Sequence, residues 1–353
     1  MRMIRCVMLL GVSLLAGCRT IGPRTIEHAR FDYTDAISSS WKKQMLLNMV
    51  KLRYNDAPVF LDVASIINQY ALETELQGGL SWNAFQPTDS QNFSARSRYA
   101  DRPTITYNPL SGEKFTRNLL TPLPPASLLA LVQGGWPVDS ILQICVQSIN
   151  GIDNYAGHAS FMREADPEFY NIITELKEIQ RGGGVGMRVD TQENDVDMVM
   201  FFESENKDIQ QNLEAFKKLL HLSPEIDEFQ LVYGRFPKSP NELAILSRSF
   251  LEILMDMGTY IDIPQKDLDE GRVLQTLPRT IEEDFEIPPV IQIHSSVEKP
   301  ENAYLSIQYR NSWFWIDDRD PRSKARLTFL LILFGLAETS ESTQAPLVTI
   351  PAG

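Results

Sequence analysis

Several groups of residues in this 353-residue chain have types and spacing that chemistry needs, and each carries a plainer structural reading beside the chemical one. The densest is Trp313, Phe314, Trp315, Ile316, Asp317, Asp318, Arg319, Asp320, where Asp317, Asp318 and Asp320 offer hard oxygen ligands for a divalent cation. A strand with aromatics on both faces fits the run better. It leads into a turn in which Asp320 caps the last helix and Arg319 pairs with a neighbouring carboxylate. The histidines His28, His158, His221 and His294 never stand at i, i+3 or i, i+4, and a tetrahedral zinc site would draw four ligands from only four His and three Cys. No metal or other cofactor is expected. Serine three residues before lysine, the spacing of Ser/Lys nucleophilic catalysis, occurs as Ser39 with Lys42, Ser40 with Lys43 and Ser111 with Lys114. The Ser-Asp-Asn and Lys-Thr-Gly partners of penicillin-binding enzymes are missing. Arg181, Gly182, Gly183, Gly184, Val185, Gly186 has the look of a phosphate loop. It lacks the Gly-Lys-Ser/Thr ending and follows a helix, so it reads as a helix stop and the start of a hairpin.

The elements that must position these residues change period along the chain. Thr34 caps a predicted helix over 35–54 with Ile37, Trp41, Met45, Met49 and Leu52 at helical spacing, and residues 55–58 stop it. From Val59 the period is two. Tyr70, Leu72, Thr74, Leu76, Gly78, Leu80, Trp82 and Ala84 share one face, and the alternate positions, with Glu73 and Glu75, the other. A turn at 86–92 and a return strand over 93–107 complete a long hairpin. Its strands exceed the 9 to 11 residues that a tilted bilayer-spanning strand needs, so joined hairpins of several copies would make a pore. Arg96, Arg98, Asp101 and Arg102 make the return strand polar, which favours an amphipathic hairpin packed on its own domain or on a partner.

Beyond the hairpin, a short helix over 111–120, a helix over 126–133 and a helix passing into strand over 138–149 are expected. Asp166 with Pro167 then starts a helix whose stripe is Phe169, Ile172, Ile173, Leu176 and Ile179. A hairpin over 185–203, a helix over 206–221, a strand over 228–233 and a helix over 240–257 follow. An acidic loop over 264–289, strands near 290–296, 302–309 and 312–316, a helix over 320–337 and a strand at 347–350 end the chain. The apolar run 327–336 is too short to span a membrane and reads as a core helix. Hairpins mixed with helices make the expected fold class α+β.

At the N-terminus, Arg2 and Arg5 precede the apolar run Val7, Met8, Leu9, Leu10, Gly11, Val12, Ser13, Leu14, Leu15, the arrangement of a secretory signal too short to span a bilayer. Leu15, Ala16, Gly17 and Cys18 resemble the lipobox of bacterial lipoprotein precursors. The resemblance implies cleavage between Gly17 and Cys18, diacylation of the Cys18 thiol and acylation of the new amino group. The acyl chains would supply the multiple signals that stable anchoring needs. Arg19 in place of the aspartate of inner-membrane retention implies the outer membrane of a Gram-negative cell, with the body facing the periplasm. The body itself resembles uncharacterised envelope lipoproteins, which adds location and nothing chemical.

Cleavage would remove Arg2 and Arg5 and leave 31 basic residues against 46 acidic, net −15 in place of −13. Cys6 would leave with the signal, and Cys145, set between Ile144 and Val146, reads as a buried inert thiol. A pI near 4.9 argues against nucleic acid, and 43% hydrophobic residues argue against disorder. The expected organisation is a signal over 1–17, a tether over 18–30 spanning at most about 40 Å, a helix and long hairpin over 31–150, and an α+β domain over 151–353. The expected function is that of a lipid-anchored envelope protein that binds other envelope components. A membrane-inserting oligomeric hairpin and a periplasmic hydrolase using Ser111 are the alternatives, and an enzyme is the less favoured class.

Overall fold

In the computed structural model the first helix, α1 (Pro23–Arg53), starts ahead of its expected cap and takes in the second part of the expected tether. Residues 24–53 contain no glycine or proline, and Pro23 brings the fixed φ that suits a first turn. Thr34 caps nothing: from inside the helix its hydroxyl donates to the Arg30 carbonyl at 2.7 Å. Its buried apolar residues are Met45, Leu46, Met49 and Val50, with Asn48 and Arg53 buried beside them, while Trp41 is 44% exposed. Beyond α1, Asn55 turns the chain with a φ of 57°. The structure describes residues 23–67, 70–81, 90–101, 104–158, 161–192, 195–203, 206–275, 280–282, 285–286 and 289–338. The signal over 1–17, Cys18 and the strand expected at 347–350 lie outside them.

The chain divides into two compact units, Val59–Leu110 and the remainder. Val59–Leu110 holds a ribbon of two strand pairs in separate two-stranded sheets, with β1 (Leu61–Ile67) and β2 (Tyr70–Ser81) running out and β3 (Ser90–Asp101) and β4 (Thr104–Pro109) running back. β1 pairs with β4 and β2 with β3, both antiparallel. Ile67 opposes Thr104 and Tyr70 opposes Asp101, so the two ladders keep one register. The return strand expected over 93–107 therefore starts at Ser90 and reaches Pro109.

The larger unit opens with the one-turn α2 (Gly112–Phe115), a π-helical turn over Thr116–Leu120, α3 (Pro125–Gln133) and α4 (Val138–Cys145), which passes into β5 (Val146–Ile149). β6 (Ile152–Asp153), β7 (Ala156–His158) and β8 (Phe161–Arg163) precede α5 (Pro167–Arg181) and the hairpin β9 (Val185–Gln192) and β10 (Asp195–Phe202). Then come α6 (Lys207–Leu219), β11 (Glu228–Tyr233), β12 (Glu242–Ser247), α7 (Phe250–Gly258) and α8 (Gln265–Asp269). The short strands β13 (Thr280–Glu282) and β14 (Phe285–Glu286) follow, then β15 (His294–Ser296), β16 (Ala303–Tyr309), β17 (Ser312–Asp317) and α9 (Pro321–Glu338). Six strands form one sheet in the order β6-β5-β12-β11-β10-β9, antiparallel except for β11 with β12. Helix α3 packs on this sheet, α4 on α5 and α5 on α6, while α1 packs on α7 and on β16 of the β15-β17-β16 sheet. Because β5 and β12 pair, residues on both sides of 150 share one sheet, and the domain boundary expected there is not a structural one. The class is α+β, as expected.

The helix expected over 240–257 is instead a strand and a helix. Leu243, Ala244 and Ile245 are buried in succession, the pattern of a central strand covered on both faces. A short apolar run of that kind does not announce its period. The helix begins only at Phe250, where Glu252 N donates to Ser249 Oγ at 3.3 Å and Ser249 N to Glu252 Oε2 at 2.7 Å, a reciprocal capping box. Replacing Ser249 by alanine should lower stability by about 1 kcal/mol, read as a lower urea midpoint at unchanged slope. An unmoved midpoint would show that α7 is held by its packing alone.

Candidate functional site

The aspartate-rich turn between β17 and α9 is fully committed to its own geometry. Arg319 grips Asp317 with Nη2 to Oδ2 at 3.0 Å and Nε to Oδ1 at 3.1 Å, and its backbone N–H reaches the same carboxylate at 2.8 Å. Those Arg319 hydrogen bonds hold the Asp317 carboxyl down at about 2. Asp318 pairs with Lys324 at 2.8 Å. Asp320 Oδ1 accepts from the backbone N–H groups of Arg322 at 3.0 Å and Ser323 at 3.1 Å, and so caps α9. Burial works to raise the Asp320 carboxyl, and the hydrogen bonds from Ser323 and Arg322 outweigh it, leaving it below the usual carboxylate range. Three carboxylates with three different partners do not make a cation site, and no group of three His, Cys, Asp or Glu suited to a metal occurs among the described residues.

The other candidates stay apart. His28 lies on α1, His158 ends β7 and His221 follows α6 with a φ of 54°. His294 Nδ1 sits 3.0 Å from Asp262 Oδ2, its ring 4.8 Å from that of Trp315. Gly182 ends α5, and Gly183 has a φ of 72° that a side chain would resist. A Cβ on Gly186 would come within 2.3 Å of the Phe201 ring, so this glycine run serves the start of β9. Ser39, Lys42, Ser40 and Lys43 lie on α1, while Ser111 and Lys114 are exposed at α2. Cys145 is fully buried, and burial pushes its thiol far up, out of nucleophile range.

What sequence reading missed is a buried ion pair. Arg248, 3% exposed between β12 and α7, sets Nη1 3.3 Å from Asp256 Oδ2 and donates to the carbonyls of Ile144 at 3.2 Å and Tyr155. Asp256, 5% exposed, accepts the Gly157 N–H at 3.1 Å through its other oxygen. The two charges, with Gln147, Gly157, Glu252 and Met255, line a cavity of about 150 Å³. A Cβ on Gly157 would lie 2.8 Å from the Tyr155 ring, so only glycine fits that wall. The sole hint in the sequence is an arginine inside the largely apolar stretch 243–255. A wider cleft of about 520 Å³ opens beside α4, where Lys177 pairs with Asp139 at 2.7 Å. Gln180 fastens that corner, donating to Val132 O at 3.1 Å and Trp136 O at 2.8 Å and accepting from Val138 N at 3.0 Å. In each cavity a cation faces a carboxylate, Arg248 with Asp256 and Lys177 with Asp139, an arrangement that joins segments.

The chain matches no protein-family model, no curated protein and no solved structure.

Two predictions follow from the geometry. Arg248→Met strands Asp256 in a low-dielectric site and should cost about 3–5 kcal/mol; the double variant Arg248→Met with Asp256→Leu should recover part of that loss in urea unfolding. A double variant as unstable as the single one would show that the carbonyl contacts matter and the ion pair does not. Asp317 contributes fully above the unfolded aspartate value of about 3.9, and its contribution is lost as pH falls through about 2. Carboxyl-carbon NMR should place its midpoint near 2, and a midpoint near 4 would remove the Arg319 clasp.

Proposed function

We propose that this chain is a lipid-anchored component of a bacterial cell envelope and works by binding other envelope components. The observation that carries the reading is the N-terminal run itself, in which Arg2 and Arg5, an apolar stretch and then Leu15, Ala16, Gly17 and Cys18 stand in the order that signal peptidase and acylating enzymes read. No helix among the described residues is long and apolar enough to cross a membrane, in keeping with attachment through acyl chains. After cleavage the formal charge of −15, 31 basic against 46 acidic residues, would repel the body from anionic headgroups, leaving the acyl chains at Cys18 to hold it at the bilayer. In a Gram-negative host, Arg19 directs the protein to the outer membrane.

Cys18→Ala tests this directly. The variant should lose incorporation of labelled fatty acid. Label that persists on the variant overturns the anchor assignment.

A further inference from the structure

The pairing register of Val59–Leu110 sets the face of each outgoing strand against that of its return strand. One face holds the opposed positions Leu72 and Tyr99, Thr74 and Ser97, Leu76 and Ala95, Gly78 and Phe93, Leu80 and Gln91. The other holds Ala71 and Ala100, Glu73 and Arg98, Glu75 and Arg96, Gln77 and Ser94, Gly79 and Asn92. Every charge of rows 71–80 thus falls on one face, each acid opposite a base, so this face is polar and close to neutral.

In β1 and β4, Ile66 stands opposite Ile105. There a β-bulge between Val63 and Ser65 shifts the register by one residue, which brings Val63 opposite Tyr107 and Leu61 opposite Pro109 on that same face. Leu61, Ile105 and Tyr107 are 40%, 39% and 52% exposed, so at its root this face is open. Among the described residues no third strand joins either edge. A two-stranded ribbon is marginal in water, and two open edges ask for further strands.

We propose that ribbons from several copies of this chain pair edge to edge into a closed β-barrel that crosses a lipid bilayer, with the Leu72–Leu76–Leu80 face toward lipid and the Glu73–Glu75 face lining an aqueous lumen. Three observations select this occupant. Ten rows of the β2–β3 ladder, Ala71 with Ala100 through Leu80 with Gln91, keep charge off the apolar face, which Asp101 opposite Tyr70 then ends; ten rows are enough for a strand that needs about 9–11 residues to cross at a tilt. Alternation of apolar and polar positions is what lipid on one side and water on the other require. Closure by identical copies satisfies the backbone groups of both edges, which lipid cannot do. The proposal draws on the anchored reading only for bringing the ribbon to a bilayer.

The test uses the full chain, purified in detergent and added to planar bilayers and dye-loaded vesicles of phosphatidylethanolamine and phosphatidylglycerol. Stepwise conductance, crosslinked oligomers and protection of residues 70–101 from protease are expected. Leu76→Arg should cut dye release by about tenfold or more with the urea midpoint of the larger unit unchanged. Glu73→Lys with Glu75→Lys should keep the steps and shift the reversal potential toward anion selectivity; Arg96→Glu with Arg98→Glu should shift it the opposite way. Absence of steps, a monomer cut within 70–101 in vesicles, an oligomer that forms without a membrane and stays outside it, or selectivity unmoved by both charge variants would each overturn the proposal. Cys18→Ala protein should still form pores in this assay, so a failed anchor and a failed barrel give different results.

Discussion

A single guanidinium, that of Arg248, holds together the middle of the larger unit. The residue stands between β12 and α7, and its backbone accepts from Leu123 N at 3.1 Å while donating to Cys145 O at 2.7 Å. Its side chain binds the carbonyl at the end of α4 and the carbonyl of Tyr155, and closes on Asp256 in α7. A helix C-terminus leaves carbonyls without intrahelical partners, and a planar cation with several donors is well suited to collect them. The helix-to-strand passage of α4 into β5, the crossing toward β7 and the seat of α7 therefore share one charged node. Such a node costs desolvation, so its effect is to fix one arrangement of segments more than to add net stability.

The parts of this fold that could be read from sequence are those with a local cause. Asp166 and Pro167 start α5, its stripe of Phe169, Ile172, Ile173, Leu176 and Ile179 is buried as the spacing requires, and Gly182 ends it. Asp320 caps α9 through hydrogen bonds only two and three residues away. The parts that could not be read depend on distant residues. Nothing near Leu243, Ala244 and Ile245 says that β5 and β11 will flank them and make a strand of what looked like a helix start. Thr34 had the chemistry of a cap, but an uninterrupted good helix upstream made its hydroxyl an interior donor to Arg30. Arg248 was invisible because its partners come from positions 144, 155 and 256, which meet only after the sheet has formed.

The same distinction explains the aspartates at 317, 318 and 320. As a string they resemble a hard-ion site, since carboxylates close in sequence are the usual source of such ligands. In three dimensions Arg319, Lys324 and the first turn of α9 each take one of them. The three carboxylates thus build a strand-to-helix corner, each holding a different part of it in place.

The ribbon is governed by a different constraint, the period of two. A bulge adds one residue to one strand and so exchanges the faces of everything beyond it. Without the bulge between Val63 and Ser65, positions 61 and 63 would join the face of Ser65 and Ile67, while Asp62 would join that of Ile66. With it, Leu61, Val63 and Ile66 fall on one side of the β1–β4 pair, opposite Pro109, Tyr107 and Ile105. In the β2–β3 pair an unbroken register has the same result: Leu72, Leu76 and Leu80 share one side, and on the other Glu73 stands opposite Arg98 and Glu75 opposite Arg96. One inserted residue thus does for β1 what strict alternation does for β2.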